Sequence, residues 1–82
     1  MARKRTTLEN GERVTRLTYH KREHLDSLEA DWRESLNPDA QVGDNCNNAV
    51  SVERTGDRLI VVTDILYDGI GQRLIVDLKE AK

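Results

Sequence analysis

Cys46, His20 and His24 are the side chains here that most readily do chemistry, and their surroundings limit what they can do. A thiol and an imidazole act as a nucleophile pair only when they meet and a third group orients the base. Cys46 stands in an Asp/Asn-rich stretch with no glycine-led helix start beside it, so it reads as an incidental small residue. His20 and His24 are four apart, which on a helix would put both rings on one side, as metal ligands require. Only Cys46, Asp44 or Glu23 would complete such a set, and no second motif of ligand spacing accompanies them. In a strand the two rings would share a face about 13 Å apart, too far to chelate together. No metal is expected.

Asp39, Asp44, Asn45, Asn47 and Asn48 invite a calcium reading. Counted from Asp39, however, Gln41 and Val50 fall where an EF-hand loop needs an acid and its closing glutamate. Gly69 and Gly71 are spaced like part of a phosphate loop but lack the following helix whose amides would hold the phosphate. They read as turn residues. With no catalytic motif, neither an enzyme nor a cofactor nor a small-molecule substrate is expected.

The remaining chemistry is electrostatic. Residues 1–22 carry seven Lys/Arg against two Glu, a net +5, and residues 23–82 carry six against thirteen acids, a net −7. Arg3, Lys4, Arg5, Arg13 and Arg16 are therefore candidate contacts for nucleic acid or another anion, since guanidinium forks match phosphate oxygens and a two-stranded ribbon fits the major groove. Against nucleic acid stand an isoelectric point of about 5.6 and the lack of an aromatic platform, Tyr19 being isolated. Alternatively, opposite charges simply meet in the fold.

These residues must be positioned by a small α+β domain spanning residues 1–82, with 1–9 as a candidate basic arm. Asn10-Gly11 between strand-prone residues is a type I′ hairpin signal, predicting a β-hairpin or strand over residues 5–20. A two-residue turn sets Glu9 against Glu12 and Arg5 against Arg16, two like-charged pairs that disfavour this register. Either an anion relieves the arginines or the first arm is not a strand. A helix running on from Glu12 is the rival.

Leu25, Leu28, Trp32 and Leu36 predict an amphipathic helix over residues 22–36, stopped by Asn37-Pro38. Glu29 stands four residues before Arg33, a favourable surface pair. Three strand signals follow, predicting an antiparallel meander over residues 49–78 packed on that helix, with Val50 and Val52 on one face. The intervening loop is long for so small a domain, so Asp44, Asn45, Asn47 and Asn48 are candidate partner contacts.

Ile60, Val62, Leu66 and Ile75 should lie on the face away from the helix, covered by the N-terminal ribbon or by a second copy. A chain without Phe has a thin aliphatic core, and dimerisation would enlarge it. One cysteine suits a reducing compartment. No apolar run follows the basic N-terminus as in a signal peptide, and none approaches the roughly 20 residues of a membrane span. The expectation is a cytoplasmic, non-enzymatic, homodimeric protein that binds another protein as regulator, inhibitor or assembly adaptor. Nucleic-acid binding through the ribbon is the alternative.

Overall fold

A computed structural model of the chain describes residues 3–80. Asn10 and Gly11 take φ values of 51° and 77°, the two left-handed conformations a type I′ turn needs. The turn sets β1 (Arg3–Glu9) antiparallel to β2 (Glu12–Tyr19), with Glu9 opposite Glu12 and Arg5 opposite Arg16. The first arm is thus a strand, and residues 12–19 do not extend the helix.

Helix α1 (Arg22–Glu34) begins at Lys21 without a side-chain cap, in keeping with its weak start signal. The amides of Ser35 and Leu36 close its last turn on the Trp32 and Arg33 carbonyls, and Pro38 follows where the helix cannot continue. Beyond the loop, β3 (Ala49–Thr55), β4 (Arg58–Tyr67) and β5 (Ile70–Leu78) form the antiparallel meander. A register shift between Ala49 and Ser51 breaks the expected alternation of Val50 and Val52. It lets both Ala49 and Val52 reach the core.

The ribbon does not fold over the far face of the meander. It extends the sheet in its own plane. β2 lies parallel to β5, Glu12 to Tyr19 running against Gly71 to Leu78, which gives one mixed sheet in the order β1-β2-β5-β4-β3. This join satisfies the outer edge of β5, which would otherwise present unpaired backbone groups.

Helix α1 covers one face only. Its Leu25 is buried against Ala49, Leu59, Val61, Val76 and Leu78 of the sheet, with Leu17, Tyr19, Leu28, Trp32, Val52 and Leu74 packed around them. Fully burying a side chain of this size contributes about 1.5–3 kcal/mol. Arg54 ties the helix to β3, its Nη1 donating to Asp26 at 2.9 Å and to Glu29 at 2.8 Å. Glu29 also accepts from Arg33 at 2.7 Å, as the spacing predicts.

Candidate interaction surfaces

The hairpin register divides the basic residues between the two faces of the sheet. Residues directly opposite one another share a face, so Arg5, Arg16 and Ile75 lie in one row with Ile60 and Glu53 on the open face. Lys4 and Arg13 fall on the helix side, opposite Leu17 and Leu8. Arg3 begins β1 opposite Thr18. The five cations do not form a single patch.

Two of them are engaged. The Arg16 guanidinium lies 3.0 Å from Glu9 Oε1, and the Arg13 guanidinium sits over the Tyr67 ring, 5.5 Å from its centroid. The Thr7 hydroxyl, which donates to Glu9 Oε2 at 2.5 Å, and the Arg16 guanidinium together hold the Glu9 carboxyl below the ordinary glutamate range. Glu12, the other half of the like-charged acidic pair, faces Arg73 at 3.4 Å. Both like-charged pairs are thus relieved diagonally by the protein's own side chains. Among the described residues, Lys4 and Arg5 are exposed and make no ion pair.

Ile60, Val62 and Ile75 share the open face, and the ribbon does not cover them. Ile75 is nevertheless only 9% exposed, and Ile60 and Val62 are half-buried. Val14 stands on the same face in one row with Arg73 and Val62. Arg16, Arg73 and Arg58 are interleaved with these aliphatics, and arginine stems cover apolar surface while keeping their heads in water. Arg73 Nε is buried there without a hydrogen-bond partner. Leu66 is separated from Val62 by a register shift; it lies opposite Gly71 at the far end of this face and is 37% exposed.

The Asn-rich loop is held to β4 by a residue that its own composition does not reveal. Asp64 is fully buried, and its carboxyl oxygens accept the Cys46 and Asn48 amides at 3.2 Å each. Its carbonyl accepts the amides of Gly43 and Asn45. Asn45 Oδ1 accepts the Leu66 amide at 2.8 Å, and Asp44 Oδ2 that of Gln41 at 2.9 Å. Asn45 and Asn47 sit at φ 55° and 60°, a conformation asparagine tolerates better than most residues. Three of the four loop candidates, Asp44, Asn45 and Asn48, therefore hold the loop's shape through side chain or backbone.

The candidate chemical groups stay apart. Cys46 is exposed, its thiol donating to the Asp44 carbonyl at 3.3 Å. His20 Nδ1 sits 2.9 Å from the Lys79 carbonyl, and the His24 ring meets Tyr19 edge-on at 6.5 Å. Both histidines line an open groove of about 520 Å³ between the end of β2 and the helix, together with Lys21, Leu28 and Asp31. Among the described residues, no three His, Cys, Asp or Glu side chains group as metal ligands, and no helix is long and apolar enough to cross a membrane.

Comparison with family models, curated proteins and solved structures finds no match. The site must be read from its own geometry.

That geometry singles out one end of the sheet. Of the five large apolar side chains left exposed among the described residues, Leu8, Val42, Leu66 and Tyr67 gather beside the hairpin turn and the β4–β5 turn. Tyr67 is 58% exposed, on the helix side but beyond the helix. Val42 Cγ1 lies 3.6 Å from where a β-carbon on Gly71 would stand, and Leu66 Cδ1 lies 3.4 Å from the same point on Gly43. The loop thus brings Val42 to Leu66 on the open face.

Proposed function

We propose that this chain is a non-enzymatic interaction protein, a homodimer that binds another protein through the end of its sheet. The observation that carries the reading is the gathering of Tyr67, Leu66 and Val42 around the β4–β5 turn, two of them on one face and one on the other. Single exposed apolar residues are ordinary, whereas a grouped set on a small domain marks a contact surface. Tyr67 beside Arg13 supplies the aromatic and arginine anchors that dominate interface energetics. The wells of fixed loop geometry around Asp64 hold Val42 and Leu66 in place before any partner arrives, which lowers the ordering cost of binding.

Homodimerisation is supported by the size of the core. A chain of 82 residues without phenylalanine buries little, and a second copy adds to it. Nucleic-acid binding through the ribbon has less support: its cations are split between two faces, and Arg13 and Arg16 already have partners.

A photo-reactive amino acid placed at Tyr67 tests the reading in cells of the native host. The same probe at Asp31, on the helix, serves as control. The expected result is a discrete protein adduct at position 67 that disappears when Leu66 and Val42 are changed to serine. Equal, diffuse labelling at both positions would overturn it.

A further inference from the structure

We infer that two copies of this chain pair antiparallel through the free edges of β1, about a twofold axis at Thr7. This gives the homodimer of the proposed function its interface, and it rests on that reading for the dimer alone.

The two edges of the sheet are not alike. At β3, the Ala49 amide and carbonyl are already taken by Ser35 and Asn37, and Leu36 bridges to Ala49. The helix packs most heavily on β3, and Arg54 binds it there. At β1, nothing among the described residues lies across the outer edge, and the helix does not touch the strand. Leu8 is left 66% exposed on it.

The register follows from backbone alternation. In a two-residue hairpin the pair closing the turn, here Glu9 and Glu12, exchanges both ladder bonds. Thr7 and Arg5 therefore also bond inward, and the amides and carbonyls of Lys4, Thr6 and Leu8 point to the free edge. A twofold axis normal to the sheet keeps each face with itself, so odd shifts of register are excluded. With the axis at Thr7, Thr6 exchanges ladder bonds with Leu8 of the second copy, and Leu8 with its Thr6.

Side chains favour this register over the one centred on Thr6. On the open face Arg5 stands directly opposite Glu9 of the second copy, twice over by symmetry. Among the described residues Arg5 makes no ion pair, and it faces Arg16 within the chain. Opposite charges directly across a ladder stabilise it. On the other face the two Leu8 side chains become diagonal neighbours, within reach of each other. An axis at Thr6 would instead set Leu8 against Lys4 and Arg5 against Thr7.

Charge reversal tests the pairing without threatening the fold. Arg5→Glu replaces the like-charged pair with Arg16 by an attractive one, and Glu9→Arg does the same opposite Glu12 while giving up the ion pair of Glu9 with Arg16, a solvent-exposed contact of small weight. Sedimentation equilibrium of the wild-type chain at about 100 µM, far above the affinity of a specific interface, should give twice the 9.4 kDa chain mass. Each single variant should dimerise about tenfold or more weakly, because like charges then oppose one another across the axis. An equimolar mixture of the two variants should recover a heterodimer, since both cross-pairs are then opposite in charge. Wild-type monomers alone would overturn both this interface and the homodimer reading. A dimer indifferent to both reversals, with no preference for the mixture, would overturn this interface and leave the homodimer standing.

Discussion

Asp64 lies at the seam between an apolar strand and a polar loop, and its removal should be felt in both. Two loop amides end on its carboxyl oxygens, and two more on its carbonyl. Asp64→Ala leaves the Cys46 and Asn48 amides without acceptors in a partly buried setting. A stability loss of roughly 2–4 kcal/mol is expected, the scale of losing bonds to a carboxyl group while stranding their donors. Urea unfolding would measure it, and limited proteolysis should cut residues 41–48 faster in the variant. Asn at this position should recover only part, because its amide group brings a donor to face a donor. Chemistry at this scale was partly legible. The asparagines were recognisable as turn formers, yet their acceptor lies far along the chain inside a strand, where no local pattern announces it.

At the scale of elements, the helix is fastened to the sheet by packing beneath and by one ionic clamp at its side. Glu29 is held below the ordinary glutamate value of 4.5, chiefly by its hydrogen bond from Arg33 and then by that from Arg54. Arg54 is raised in turn, mainly by Asp26. A carboxyl depressed in the folded state stabilises that state fully above its unfolded value, and the benefit is lost as pH falls through the folded one. Glu29→Gln should therefore cost about 1 kcal/mol at neutral pH, the scale of a well-placed surface pair. The wild-type and variant urea midpoints should converge in acid, once the pH has fallen through the depressed value of the folded carboxyl and it takes up its proton. A gap that persists in acid would mean that the side chain acts by packing alone. The helix, the Leu25, Leu28 and Trp32 part of its stripe and the Glu29–Arg33 pair were readable from spacing, as was the hairpin turn, whereas Leu36 falls past the helix end and is exposed. The parallel join of β2 to β5 was not readable. Parallel pairing leaves no turn signal, and the residues that meet are separated by the helix and most of the meander.

For the molecule as a whole, the charge asymmetry of the sequence is bridged at one point and its basic residues are spread over both faces of the sheet. Arg22, in the basic segment, reaches Glu80 at 2.9 Å and Asp57 at 3.2 Å in the acidic part of the chain. Glu80, more than Asp57, raises the Arg22 pKa still further. The protein should accordingly fail to retain generic duplex or single-stranded nucleic acid in fluorescence anisotropy even at about 50 mM salt, where phosphate contacts are strongest. Binding there that falls steeply with added salt and is lost on changing Arg5 and Arg16 to alanine would favour the ribbon as a nucleic-acid grip. The join between β2 and β5 also bears on how the chain acquires its shape. The hairpin and the meander are each built from neighbours in sequence, and either can form early. Their union waits on closing the longest loop in the molecule, since Glu12 must find Gly71 and Tyr19 must find Leu78. The same ladder is then the natural line of parting, so slow amide exchange should be strongest in β4 and β5 and weaken across β2 toward β1. An edge that loosens first is also an edge that a second strand would steady.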